Sequence, residues 1–96
     1  MFDIPEGASV VTSSRITTGA SPILFVAHQR DEKGVIWQFL DGHDFVMAEM
    51  QLVRLDTILK LDPGIVSVSN TPVGSISRRE SPTAPWVISE DPEGKQ

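Results

Sequence analysis

The sequence of 96 residues contains no cysteine. Without thiols the chain can form neither disulfides nor thiolate metal sites, which is typical of a reducing compartment, so we expect a cytoplasmic protein. The first residues, MFDIPEGAS, have neither the basic nor the apolar segment of a secretory signal. The longest apolar run is about six residues, whereas a membrane-spanning helix needs roughly 20. We therefore expect neither a secretory signal nor a membrane partner.

The motifs of common enzyme classes are missing as well. The sequence has no GxSxG nucleophile elbow, no glycine-rich phosphate loop and no HExxH zinc motif. Asp41, His43 and Asp44 form the most suggestive cluster, because carboxylate and imidazole groups can share a proton or bind a divalent metal.

A turn is the simpler interpretation of this polar segment, and a metal site there would need His28 as a distant ligand. A triad of Ser75 with His43 and Asp41 has no support from the spacing. We predict no catalytic residue, no metal and no cofactor, with a small hydrolase as the less favoured alternative.

Positive charge is scarce, and the formal net charge is −5. Residues 31–62 carry seven acidic and three basic side chains, so most of the negative charge lies in the middle third. An acidic surface repels phosphate backbones, which argues against a nucleic-acid partner and favours a basic protein partner. Acids that only keep a small domain soluble are the simpler alternative. The candidate partner-binding residues are Asp31, Glu32, Asp41, Asp44 and Glu49.

Short β-prone segments predict most of the secondary structure. The strongest strand signal is the continuous apolar run Ile23 to Val26, which is typical of a strand covered on both faces. Gly34 can take the positive φ that a hairpin turn requires, so the polar segment 31–34 predicts a hairpin. Strands are predicted at residues 9–16, 22–30, 35–40, 71–79 and 84–89, with a bulge or a close backbone approach at Gly74.

An apolar stripe predicts one principal helix. Leu52, Leu55 and Leu59 recur at the i, i+3, i+7 spacing of a helix face. Asp56 is the predicted N-cap, and the helix should end at Leu61 because the proline in the following DPG disfavours the α conformation before it. The next run, IVSVS, is compatible with a short strand or an irregular loop.

These elements predict an α+β fold, with a small, mostly antiparallel sheet of four to five strands and one principal short helix. A chain of this length holds a single core. We expect an N-terminal lead at residues 1–8, one domain at 9–89 and a flexible acidic tail at 90–96.

Two tryptophans and two adjacent arginines are prominent in this sequence. Trp37 is predicted to be a core residue, whereas Trp86 is equally consistent with a core position and with a binding anchor. Arg78 and Arg79 are neighbours in a predicted strand, so at most one of them points inward. The inward guanidinium is expected to form a structural ion pair with Glu80 or with an acid of the middle segment.

Three motifs together follow the pattern of a bacterial family. A strand with two aromatic residues precedes a short loop, a helix ends in an Asp-Pro element, and a Pro-x-Gly-Ser segment precedes an arginine. These motifs are carried by Trp37, Phe39, Gly42, Leu55, Ile58, Leu61, Asp62, Pro63, Pro72, Gly74, Ser75 and Arg78, and an opening strand matches at Val11, Ser13 and Ile16. Residues 9–88 thus resemble the immunity-protein-thirty-three-like family, a bacterial domain of unknown function linked to polymorphic toxin immunity.

The resemblance implies a non-catalytic protein-binding module that neutralises a toxin, with motif residues that are structural. Together with the charge, it predicts a basic toxin as the protein partner, bound through an acidic surface. The alternative is a stand-alone structural or regulatory domain that forms a homodimer through a free sheet edge.

Overall fold

The computed structural model describes residues 2–32, 34–43 and 46–90, with only the backbone of Asp31. Its strands are β1 (Ser9–Ser13), β2 (Phe25–Asp31), β3 (Gly34–Leu40), β4 (Met50–Arg54), β5 (Ser75–Arg78) and β6 (Val87–Glu90). Its α-helices are α1 (Ser14–Thr17) and α2 (Leu55–Leu61), and 3₁₀ helices occupy Met47–Glu49 and Pro63–Val68. No helix in these described ranges is long and apolar enough to cross a membrane.

The six strands form one sheet in the order β4-β1-β3-β2-β5-β6. Every neighbouring pair is antiparallel except β1 with β3. The α+β class, the mostly antiparallel sheet and the one principal helix are therefore confirmed, with a somewhat larger strand count than predicted. The hairpin of β2 and β3 is confirmed as well, and Gly34 has a φ of 130°.

One face of the sheet, the core face, is covered by the rest of the chain. Residues paired across strands share a face, and this places Val10, Val26, Trp37 and Phe39 on one side. The N-terminal segment, α2 and the second 3₁₀ helix pack there through Phe2, Leu55, Ile58, Ile65 and Val68. Fully burying one such aliphatic side chain stabilises the fold by about 1.5–3 kcal/mol. The predicted core position of Trp37 is confirmed, at 1% exposure.

The N-terminal lead predicted at residues 1–8 contributes to this core. The ring of Phe2 contacts those of Trp37 and Phe39 edge-on, at centroid distances of 4.8 and 5.7 Å. At the other end of the domain, Glu90 belongs to β6, and the remainder of the predicted tail lies outside the described residues.

The prediction that Leu52 belongs to the apolar stripe of the helix was wrong. Leu52 lies in β4 and is 70% exposed, because β4 pairs with β1 along its whole length. Arg54, in extended conformation, is the N-cap of α2, whereas Asp56 lies in the first turn. The helix ends at Leu61 as predicted, and the Asp62 side chain accepts a hydrogen bond from the Gly64 amide at 3.1 Å.

The predicted strands differ from those of the structure in their bounds, most of all the first and the fourth. The first ends at Ser13, and the next four residues form α1, which buries Ile16. The IVSVS run lies in the second 3₁₀ helix and its following turn rather than in a strand. In the 71–79 segment only β5 is a strand, and the Ser75 amide closes a turn onto the Pro72 carbonyl at 3.0 Å. Gly74, with φ of 87°, occupies this turn instead of a bulge.

Candidate protein-binding surface

The five candidate acids do not form one face. Glu32 is exposed in the turn between β2 and β3, whereas Asp41 directly follows β3. The seven residues of β3 separate these positions by roughly 20 Å, at the rise of an extended strand. Asp44 lies outside the described residues, as does the side chain of Asp31. The hairpin geometry therefore separates acids that are close in sequence.

Two of the five acids, Asp41 and Glu49, form ion pairs with the same arginine. Arg15 Nε lies 3.4 Å from Asp41 Oδ2 and 3.6 Å from Glu49 Oε1. The Asp41 side chain is only 2% exposed, and its Oδ1 accepts a hydrogen bond from the His43 amide at 3.1 Å. Asp41 is thus a structural residue rather than part of an exposed acidic face, and the charge of Glu49 is partly compensated.

The two histidines lie in different environments. His28 is buried on the core face, stacked on Trp37 with a centroid distance of 3.8 Å. Its Nδ1 lies 2.7 Å from the Thr71 carbonyl oxygen, and its Nε2 lies 3.8 Å from Asp3 Oδ2. His43 is exposed after β3. In the described part of the chain, no group of three or more His, Asp or Glu side chains could hold a metal ion.

Ser75, the nucleophile of the hypothetical triad, lies opposite His28 in the pairing of β2 with β5. The carboxylate close to His28 is that of Asp3, from the N-terminal segment, and not that of Asp41. The structure therefore does not bring Ser75, His43 and Asp41 together in the way a triad requires.

The second face of the sheet, the open face, lies opposite α2, the second 3₁₀ helix and the N-terminal segment. A single row crosses all six strands through Leu52, Val11, Gln38, Ala27, Ile76 and Ser89. The centre of this row is packed between neighbours, since Ala27 and Ile76 are 1% and 6% exposed. The side chains on the outer strands of the sheet are not packed in this way, since Leu52 on β4 and Val87 on β6 are 70% and 63% exposed.

Polar side chains are interspersed on the open face. Gln38 donates a hydrogen bond to Gln29 at 3.2 Å across the hairpin. The Arg78 guanidinium lies over the ring of Phe25, 5.1 Å from its centroid, and the arginine is exposed. The resulting surface mixes apolar and polar side chains, as the contact regions of non-obligate protein interfaces commonly do.

The ion pair predicted for one of the two arginines is formed by Arg79. Its Nη2 donates to Asp62 Oδ2 at 2.7 Å and to the Ile23 carbonyl at 2.8 Å. Its Nε donates to the same carbonyl and its Nη1 to that of Pro82, both at 3.0 Å. The guanidinium also stacks on Trp86 at 4.3 Å. This cluster, the Arg79 clamp, joins the loop before β2, the end of α2 and the loop after β5.

An open groove of about 540 Å³ lies beside the Arg79 clamp. Ile16, Pro22 and Leu61 are among its apolar lining residues. Its arginine already donates four hydrogen bonds within the protein, so an anionic ligand would have to displace existing contacts. The groove is consequently a weaker candidate for a binding site than the open face.

The motif residues are mainly structural in position. Trp37 and Phe39 are core residues, and Gly42 has a φ of 80° immediately after β3. Pro63 begins the second 3₁₀ helix, for which Asp62 is the cap. Arg78, the arginine of the motif, is not the one that binds an acid, because the alternation of β5 directs it to the open face.

Sequence reasoning missed three participants in these clusters. Arg15, Asp3 and the loop carbonyl of Ile23 are distant in sequence from their partners, and no local motif marks them. No family model, curated protein or solved structure matches this chain.

Proposed function

We propose that this protein is a non-catalytic protein-binding module whose contact surface is the open face of its sheet. The observation that carries the proposal is the one-sided covering of the sheet: α2, the second 3₁₀ helix and the N-terminal segment all pack on the core face. The most exposed apolar side chains of the opposite face lie on its two outer strands, Leu52 on β4 and Val87 on β6, where each is available to a partner.

The partner class comes from the family resemblance rather than from the fold. A toxin bound by an immunity protein is the expected partner, and the net charge of −5 favours a basic one. The open face takes the place of the acidic contact residues predicted from the sequence. Of these, Asp41 is buried, and Glu32 lies at the far end of the hairpin.

A capture experiment with matched variants tests the proposal. Tagged wild-type protein, Leu52→Lys and Val66→Lys are incubated with lysate of the source cells, and bound chains are identified by mass. Val66, 44% exposed on the second 3₁₀ helix, is the control because that element packs on the core face. We expect wild type and Val66→Lys to capture the same stoichiometric partner with equal affinity. Leu52→Lys should bind that partner with about tenfold lower affinity.

Equal capture by both variants would place the contact surface elsewhere and contradict the proposal. The same holds if no stoichiometric partner is captured by wild type. Circular dichroism of each variant checks that the substitution at these exposed sites has left the fold intact.

A structural domain that forms homodimers is the second candidate function. It is favoured by the two outer strands, β4 and β6, since each offers an edge to a second copy. Sedimentation over a wide concentration range distinguishes the two functions. A monomer throughout excludes the homodimer, whereas a dimer that survives dilution favours it over the binding module.

A further inference from the structure

We propose that the outer edge of β6 binds an extended, basic segment of a partner protein, which joins the sheet as an additional strand. The inference rests on the proposed binding function and specifies the chemistry of the partner. It adds a directional, hydrogen-bonded contact to the apolar contact of the open face.

The edge of β6 is accessible along its whole length. β6 is the last strand of the sheet, and within the described ranges no segment pairs with its outer side. All four of its residues are exposed, and two of them, Val87 and Ile88, are apolar with exposures of 63% and 44%. Such an edge presents unpaired N–H and C=O groups to an incoming strand.

Charge indicates which strand would add. Residues 80–90 contain two acids, Glu80 and Glu90, and no base. Glu90 itself is exposed at the end of β6. A second copy of this chain would bring the same acids and a net charge of −5 to the interface, so like charges oppose self-pairing. A segment with lysine or arginine has the complementary charge.

The start of β6 adds a fixed aromatic group. Trp86 directly precedes the strand and is half-buried, with its ring held by the guanidinium of Arg79. An aromatic ring that is already immobilised loses little conformational entropy when a partner contacts it. Trp86 also packs against the core cluster, which supports the core interpretation, and the exposed part of its ring is the part available to a partner.

The opposite edge is less suited to this role. β4 is preceded directly by a 3₁₀ helix and followed directly by α2, so regular pairing could not extend beyond its five residues. Its charged groups are of both signs, since Arg54 at its end is paired with Asp56 at 3.0 Å. It therefore lacks the single-sign charge that would select a basic strand.

The probe for this inference is a short peptide in which lysine and valine alternate. Binding is followed through the backbone amide signals of the protein in a ¹⁵N-labelled NMR titration. Two control peptides have the same length: one with glutamate in place of lysine, and one whose amides are methylated so that they cannot donate hydrogen bonds. We expect saturable shifts at residues 87–90 with the lysine peptide and affinity about tenfold lower for the glutamate peptide.

Two protein variants complete the test. Glu90→Lys is expected to weaken the lysine peptide about threefold, the order of one exposed charge pair. Glu6→Lys has the same change of charge but lies before β1 and next to the β4 edge, since its carbonyl accepts from the Asp56 amide at 2.9 Å. That position is separated from β6 by most of the sheet width, roughly 24 Å, so we expect little effect.

Equal binding of the methylated peptide would overturn the inference, because the contact would not be a strand pairing. Shifts at residues 50–54 instead of 87–90, or self-association through β6 without peptide, would overturn it as well. The proposed function is judged separately in the capture experiment. A partner lost by Leu52→Lys, together with no peptide-induced shifts at residues 87–90, would leave that function intact while rejecting the β6 edge.

Discussion

Removal of the Arg79 guanidinium should be among the most destabilising single changes in this protein. The Arg79 side chain is 7% exposed, and it joins three separate segments of chain through four hydrogen bonds. In Arg79→Met, the apolar stem is retained, but Asp62 loses its cation and the Ile23 carbonyl loses two donors. The change therefore isolates the polar contacts of the Arg79 clamp.

The magnitude follows from the burial of the two partners. Loss of one member of a buried ion pair costs about 3–5 kcal/mol. Because the Asp62 side chain is 27% exposed, water replaces part of the lost contact, and the lower end of this range applies. We expect Arg79→Met to lower the free energy of unfolding by about 3 kcal/mol, which for a domain of this size lowers Tm by about 12–24 °C.

Urea unfolding followed by tryptophan fluorescence and by circular dichroism measures this change. Arg78→Met is the matched control, since Arg78 is exposed over Phe25 and its removal should cost less than about 1 kcal/mol. Arg79→Lys should fall between the two, because an ammonium cannot reproduce the planar fork of the guanidinium. If Arg79→Met were no more destabilising than Arg78→Met, the Arg79 clamp would not stabilise the fold as reasoned.

Two further changes test the backbone and the charges. Gly74→Ala should lower the free energy of unfolding by about 1–2 kcal/mol, because Gly74 has a φ of 87°, although nothing lies within 4 Å of an added Cβ. The control in the same urea assay is Gly7→Ala, at a glycine without positive φ. Equal stability of Gly74→Ala and wild type would contradict the predicted backbone strain. The hydrogen bond from Arg54 lowers the pKa of Asp56, so this carboxylate stabilises the folded state above its unfolded pKa. That contribution is lost as the pH falls through the lowered folded pKa, so the stability difference between wild type and Asp56→Asn should vanish in acid, and a difference that persists there would show another cause.

Local patterns predicted the central hairpin and the end of α2 correctly. The apolar run before residue 27 and the turn glycine Gly34 are sufficient for β2 and β3, since both signals act over a few residues. The Asp62-Pro63 pair stops the helix for a similarly local reason, because proline restricts the residue that precedes it. Trp37 was placed in the core by its size and its strand context.

The same patterns could not decide between helix and strand at Leu52. Its spacing to Leu55 satisfies a helix stripe, but residues 50–54 pair with β1, about 40 positions earlier in the chain. Pairing over such a distance contributes hydrogen bonds that no local window contains. The first 3₁₀ helix and the turn into α2 then follow from the position of β4 at the edge.

Charge patterning along the sequence did not predict which acids lie together. Asp41 and Glu32 belong to one acidic segment of sequence, yet one is buried beside Arg15 and the other is exposed at the opposite end of β3. Likewise, strand alternation predicted that at most one of the two adjacent arginines points inward, but not which one. That choice depends on the phase of β5 relative to β2.

The class of the fold, the central hairpin and the helix end at Leu61 could all be predicted from the sequence, because each depends on composition or on neighbours along the chain. Which sheet face is covered, which strands lie at the edges and where each charge resides depend on the tertiary structure. These features depend on pairings between residues far apart in sequence, and a one-residue change in strand phase moves every side chain to the other face. The open face and the β6 edge are both results of that choice.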